Sequence, residues 1–111
     1  MTLDPSALNN YREFMGDEAD AFIVDIVETF LENAPRLFAQ MEASTAGADS
    51  QGFVRAAHTL KSNSATVGAT LLASLAADLE SRGKTEPLTD LAEQVRLARE
   101  EFASVARLLK P

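Results

Sequence analysis

Apolar residues recur at three- and four-residue spacing along most of this 111-residue chain, and that periodicity restricts its fold more than any other feature. The spacing places apolar side chains on one face of an α-helix, whereas a half-buried strand alternates at every second residue. It predicts five helical segments, at about residues 4–15, 17–44, 50–68, 69–83 and 87–109. The scarcity of glycine and proline favours the same assignment.

Local signals set the ends of these segments. Asp4 followed by Pro5 is typical of a helix start, and Gly16 breaks the first helix. Pro35 lies inside the second segment, where it removes one backbone hydrogen bond, so we expect a bend there. Gly68 is expected to end or bend the third helix. The positions expected to face the core are Ile23, Val27, Phe30, Ala34, Leu37, Met41, Phe53, Ala56, Ala57, Leu60, Ser64, Val67, Leu71, Leu72, Leu75, Leu79, Leu88, Leu91, Val95, Ala98, Phe102, Val105 and Leu109.

The loops between the longer segments are short, which favours antiparallel packing of neighbouring helices. We therefore expect an all-α fold, an antiparallel up-down four-helix bundle with a short additional N-terminal helix across one end. Residues 1–111 are expected to form a single domain, because the chain is long enough for one ordinary core but not for two. A bundle that closes its own core is expected to be a monomer.

Charge and composition exclude several classes of function. Seventeen acidic residues against ten basic ones give a formal charge of −7, so neither nucleic acid nor a membrane surface is an expected partner. The chain has no cysteine, which excludes disulfides and thiolate metal sites. Its N-terminus lacks the basic and apolar regions of a signal peptide, and no apolar run is long enough to span a bilayer. We expect a cytoplasmic protein.

The most informative single residue is His58, the only histidine of the chain. It points about 150° away from the centre of the apolar stripe of the third segment, so its imidazole is expected to face solvent. Histidine is a competent nucleophile near neutral pH. One imidazole with scattered carboxylates does not make a specific metal site, so no metal site is expected.

The residues that follow His58 are unusual for an exposed helical face. Lys61 comes one turn later, and every side chain from residue 62 to 69 is small or medium and uncharged. Serine, asparagine and threonine cost helix propensity on such a face, so their presence indicates another requirement, such as the close approach of a second protein. Ser62, Ala65 and Gly68 are the expected close-approach surface.

The third and fourth segments carry a longer motif, which reads His58-x-Leu60-Lys61-Ser62-x-Ser64-x-x-x-Gly68-Ala69 and continues with Leu72, Leu75 and Leu79-Glu80. This motif resembles the signature of histidine-containing phosphotransfer (HPt) domains, the four-helix bundles that relay phosphoryl groups in two-component phosphorelays. The lengths and order of the remaining helices are also similar, including the short N-terminal one.

The resemblance implies a role for each matching residue. His58 corresponds to the phosphoacceptor, Lys61 to the lysine that faces the phosphoryl oxygens, and Glu80 to a glutamine or glutamate that hydrogen-bonds the imidazole. A carboxylate that accepts from Nδ1–H leaves Nε2 outward as the nucleophile. Ser62 stands where family members often have glycine, which is a mild departure.

The resemblance also implies a phosphorelay intermediate. His58 would take the group from the phosphoaspartate of a receiver domain and pass it to the aspartate of another. Expected partners are response-regulator receiver domains and a hybrid histidine kinase. The protein would be a phosphocarrier without autonomous kinase activity and without a cofactor of its own, because the receiver domain would supply Mg²⁺ and an acidic pocket.

Partner docking needs an apolar patch beside the histidine. Phe14 and Met15 end the first helix, and Phe22 and Ile26 lie at the margin of the second-helix stripe. We expect these four residues to form the patch, with burial in the core as the alternative.

Two other functions remain open from the residues alone. The phosphoacceptor domain of an orthodox histidine kinase is also helical, but it typically has an acid directly after the histidine and a proline soon after. This chain has Thr59 at that place and no proline between it and Pro87. The second alternative is a helical-bundle interaction module whose histidine carries no phosphate.

Overall fold

A computed structural model describes residues 3–109, and every regular element within them is helical. Short 3-10 segments at Gly16–Glu18 and Leu88–Leu91 lead into the second and fifth helices. The predicted all-α fold is confirmed, with one short N-terminal helix and four longer ones. The helices are α1 (Pro5–Met15), α2 (Ala19–Ala46), α3 (Ser50–Thr66), α4 (Thr70–Gly83) and α5 (Ala92–Leu109).

The predicted start of α1 is present, whereas α2 begins later than expected. The Asp4 side chain accepts a hydrogen bond from the backbone N–H of Ser6 at 3.0 Å. Gly16 then takes a positive φ of 62°, which glycine adopts with little steric cost. Because Gly16–Glu18 forms a 3-10 turn, α2 starts at Ala19 instead of residue 17.

The second helix runs without interruption across Pro35. This residue is exposed and lacks the N–H that would bond the carbonyl one turn earlier. Ala34 and Leu37, on either side of it, are both buried in the core, so tertiary packing holds the helix together at this point. The proline therefore divides neither the helix nor its apolar stripe.

The third helix has a central place in the packing, because it contacts α2 on one side and α4 on the other. The fifth helix packs against α4 and α2. Most predicted core positions are buried, but Leu71 is 39% exposed. It lies one residue before Leu72, about 100° around the helix, and Leu72 takes the core position. The prediction that Leu71 faces inward is therefore wrong.

The turn between α3 and α4 is covered by the start of α1. The backbone N–H of Asp4 donates to the carbonyl of Gly68 at 2.6 Å, and Gly68 is buried with a φ of 80°. A Cβ at this position would lie 2.4 Å from the carbonyl oxygen of Asp4. The prediction that Gly68 belongs to an exposed close-approach surface is therefore wrong. Because Gly68 has no side chain, the residue that caps α1 can lie directly against this turn.

Candidate functional site

The third helix presents His58 to solvent. It starts after Asp49, whose side chain accepts a hydrogen bond from the backbone N–H of Gly52 at 3.0 Å. The apolar stripe of α3 is buried, which leaves the opposite face outward. His58 lies on that outward face with 58% of its side chain exposed, as the helical spacing predicts.

Glu80 of α4 holds the imidazole from the neighbouring helix. Nδ1 of His58 lies 2.9 Å from Oε2 of Glu80. A carboxylate only accepts hydrogen bonds, so the proton of this bond belongs to Nδ1. In the neutral imidazole, the lone pair is then on Nε2 of a largely exposed ring. The protein thus fixes the tautomer of the imidazole ring and leaves Nε2 as the nucleophilic nitrogen.

Lys61 shares the same carboxylate. Its Nζ lies 2.7 Å from Oε1 of Glu80, while Oε2 takes the imidazole. The hydrogen bond from Lys61 holds the pKa of Glu80 below its ordinary value, against the raising effect of desolvation, and the bond to His58 lowers it further. The ionised carboxylate therefore links the ammonium of Lys61 to the imidazole of His58.

The sequence motif did not predict the contact between Lys61 and Glu80, because the phase of α4 against α3 depends on how the two helices pack. The small neighbours of His58 are placed as expected in two of three cases. Ser62 and Ala65 are exposed on the face that carries the imidazole, whereas Gly68 is covered by α1. The exposed stretch of small side chains on this face therefore ends before Gly68.

The four apolar docking candidates have different surroundings. Phe14 is 92% exposed and Phe22 is also exposed, so neither is a core residue. Met15 and Ile26 are half-buried, and Ile26 packs against the core. Ile26 also lines a cleft that includes residues of the second half of α3, beyond His58. Their part in docking stays a prediction.

A groove of about 560 Å³ opens beside the imidazole, between the first half of α3 and the end of α4. Two cations in it, Arg55 and Lys84, are not singled out by the motif. Helical spacing carries a signal for both, because Arg55 lies three residues before His58 and Lys84 lies four residues after Glu80. The groove is lined by Ser50, Gln51, Val54, Arg55, His58, Glu80 and Lys84.

Between residues 3 and 109, no group of three or more histidine, aspartate or glutamate side chains is arranged to hold a metal ion. Over that range, no helix is long and apolar enough to cross a membrane.

Similarity to a solved structure supports the fold. The crystal structure of histidine-containing phosphotransfer protein B (HptB) from Pseudomonas aeruginosa PAO1 superposes with a TM-score of 0.83 and 27% sequence identity. The superposition covers 96% of this chain and 90% of that chain.

Sequence similarity agrees with the structural comparison. The chain is 33% identical over 87 residues to Sensor protein TorS of Escherichia coli (strain K12), a match that covers 78% of this chain and 9% of TorS. The chain thus corresponds to a small part of that relative. A family model described as Hpt domain matches residues 25–107, a segment that contains His58, Lys61 and Glu80. The chain therefore belongs to the Hpt domain family, whose members are histidine phosphotransfer intermediates of two-component phosphorelays.

Proposed function

We propose that His58 is the residue that carries the phosphoryl group, with a receiver-domain phosphoaspartate as donor and a receiver aspartate as acceptor. The observation that carries this assignment is the 2.9 Å bond between Nδ1 of His58 and Glu80 on an otherwise exposed ring. That bond leaves Nε2 as the free nucleophile, and His58 is the only histidine in the sequence.

The transfer step follows from this geometry. The Nε2 lone pair attacks the phosphorus of the acyl phosphate, and a P–N bond forms as the P–O bond to the aspartate breaks. The bonding electrons leave with the aspartate carboxylate. The product imidazole is cationic while Nδ1 keeps its proton, and the carboxylate of Glu80 stabilises that charge. Transfer to a second receiver runs through the same steps in reverse.

Lys61 has a second role in the proposal. Its ammonium lies 2.7 Å from Glu80 and one helical turn from His58, so a small movement of its flexible side chain brings it to the new phosphoryl oxygens. A phosphoryl group carries close to two negative charges near neutral pH and therefore attracts the ammonium. Lys61 thus pairs with Glu80 before transfer and with the phosphoryl group after it.

The partner supplies the remaining chemistry in this proposal. The receiver domain brings Mg²⁺ with its own acidic pocket, so the chain needs no cofactor and has no autonomous kinase activity. A hybrid histidine kinase is the proposed source of phosphoryl groups, and the cytoplasm is the proposed location. Phe14, Met15, Phe22 and Ile26 are the proposed apolar docking residues, supported by the exposure of the two phenylalanines.

The test is transfer of radiolabel from a phosphorylated receiver domain to the purified chain in the presence of Mg²⁺. We expect acid-labile, base-stable label on the wild type and none on His58→Gln. Label that persists in His58→Gln would contradict the site. Label from ATP alone would contradict the absence of kinase activity. No label from a broad panel of receivers would favour an interaction module without phosphotransfer.

A pair of Glu80 variants tests the positioning role. In Glu80→Ala the imidazole loses its acceptor, so we expect the initial rate of label transfer to fall by about tenfold, as for partners that orient other functional histidines. Glu80→Gln keeps a carbonyl acceptor for Nδ1–H but loses the negative charge that stabilises the cationic imidazole, so its rate should lie between those of the wild type and Glu80→Ala. Equal rates for wild type and both variants would show that the hydrogen bond has no part in transfer.

A further inference from the structure

The groove beside His58 has a charge of its own. Four of its lining side chains are ionisable, namely Arg55, His58, Glu80 and Lys84. Both oxygens of Glu80 are already engaged, one by Lys61 and one by His58. Arg55 and Lys84 are therefore the charges that the groove presents to a partner, and the groove is locally positive.

This local charge is unusual in a chain with a formal charge of −7. Most arginines of the described residues are neutralised by neighbouring acids. Those that pair with a carboxylate are Arg12, Arg82, Arg96 and Arg99. Arg55 and Lys84 have no carboxylate within ion-pair distance among residues 3–109, and both line the same groove. Two unpaired cations on opposite walls of one groove are available to an anionic partner.

The position of the groove divides the surface around His58 into two halves. Arg55 and Lys84 lie toward the start of α3 and the end of α4, on one side of the imidazole. Ile26, one of the apolar candidates, faces the second half of α3 on the other side. The cleft on that side also contains the carboxylate of Asp25, so a partner that covers His58 meets cations on one side and no cation in the cleft on the other, which favours one orientation for an anionic partner.

Building on the proposed function, we propose that the groove lined by Arg55 and Lys84 receives the carboxylates that surround the metal site of the receiver domain. A protein that holds Mg²⁺ beside an aspartyl phosphate binds the ion mainly through carboxylate oxygens. Those acids must approach His58 during transfer, because the phosphoryl group passes directly between the two sites. The groove would thus attract the receiver and orient it, while the chemical step is left to His58 and its partner.

Charge at the edge of an interface acts mainly on the association rate and its salt dependence. For the double variant Arg55→Gln/Lys84→Gln, we expect kcat/KM for transfer from a phosphorylated receiver to fall about three- to tenfold at low ionic strength. The rate at saturating receiver should stay unchanged. The difference should disappear at high salt, where exposed charges are screened.

Arg36→Gln is the matched control. Arg36 is exposed, has no carboxylate partner among residues 3–109 and does not line the groove. Arg36→Gln matches the charge change of each single variant, and Arg36→Gln/Arg107→Gln matches that of the double variant, because Arg107 is likewise exposed and outside the groove. We expect wild-type transfer from both controls at every salt concentration. The single variants Arg55→Gln and Lys84→Gln should each give part of the effect.

The outcomes separate this inference from the proposed function. If the wild type takes no label, the proposed function fails. If the wild type is labelled and the double variant has the salt dependence of Arg36→Gln/Arg107→Gln, the groove does not bind the receiver and the inference fails. A loss that persists at saturating receiver and at high salt would also overturn it, because the two cations would then act on the chemical step.

Discussion

At the scale of single residues, the site depends on one carboxylate that binds both an ammonium group and an imidazole. Glu80 binds Lys61 through Oε1 and His58 through Oε2. The exposure of His58 could be predicted from the sequence, because it depends only on the period of one helix. The Lys61–Glu80 contact could not, because residues on two helices meet only when the packing between those helices is known.

The charge state of Glu80 predicts how stability varies with pH. Its pKa is lower in the folded protein than its ordinary value of 4.5, chiefly because of the hydrogen bond from Lys61. Ionised Glu80 therefore stabilises the native state above about pH 4.5, and this contribution is lost as the pH falls through the folded-state pKa. The free energy of unfolding of wild type should exceed that of Glu80→Gln by about 1 kcal/mol at pH 7, with the difference shrinking at lower pH.

The measurement is urea denaturation of both proteins at several pH values. Glu28→Gln is the control, because it removes an exposed carboxylate that pairs with no cation among residues 3–109. A difference between wild type and Glu80→Gln that grows as the pH falls would contradict the ion pair.

Ser64 gives a second prediction at this scale. Its side chain is fully buried on the core face of α3, and its hydroxyl has no hydrogen-bond partner within residues 3–109. A buried hydroxyl without a partner costs free energy, so Ser64→Ala should raise the free energy of unfolding by about 1 kcal/mol. Ser62→Ala, on the exposed face of the same helix, is the comparison and should change stability much less. A destabilised Ser64→Ala protein would show that the hydroxyl is in fact satisfied.

At the scale of elements, the turn between α3 and α4 joins three helices. Gly68 was expected to end or bend α3, and it follows the end of that helix, but the residue that covers it is Asp4, the N-cap of α1, which lies 64 residues earlier in the chain. The sequence predicts both ends of this contact as local signals, a helix start and a helix end. Nothing in the spacing indicates that the two signals meet, because that depends on where α1 packs.

The contact predicts different costs at two glycines with positive φ. Gly68→Ala places a Cβ against the carbonyl of Asp4, whereas a Cβ at Gly16 would have no neighbour within 4 Å. Both variants are destabilised because alanine is strained at a positive φ. Gly68→Ala should lower the free energy of unfolding by about 1–3 kcal/mol more than Gly16→Ala, because α1 must move. Urea denaturation followed by circular dichroism measures both. Equal costs would mean that α1 is not seated on the turn.

At the scale of the whole molecule, the bundle could be predicted because most of its core follows one period. Positions such as Phe53, Leu60 and Leu91 lie on the predicted stripes and are fully buried. Leu71 departs from its predicted burial because two adjacent leucines compete for one inward position. The groove between α3 and α4 was not predictable, since its walls come from segments whose relative placement is set by the packed fold.

The dimensions of the molecule allow the expected monomeric state to be tested in solution. The Cα radius of gyration is 14.6 Å, with principal extents of 47 × 22 × 20 Å. Small-angle scattering should therefore give a radius close to that value and a forward intensity that corresponds to 11.9 kDa at all concentrations. A compact dimer would have a radius of roughly 17 Å or more. A radius that rises with concentration toward that value would contradict the monomer.

The seat of α1 on Gly68 also bears on where this protein can be cut or fused. The match to the family model begins at residue 25, inside α2, whereas the backbone hydrogen bond from Asp4 holds the turn that follows the helix of His58. A fragment trimmed to residues 25–107 would keep every residue of the family motif and lose the cover of that turn. Chimeric relay proteins that use this domain should therefore be joined to it ahead of Asp4. The fusion then keeps α1 together with the segment that the family model matches.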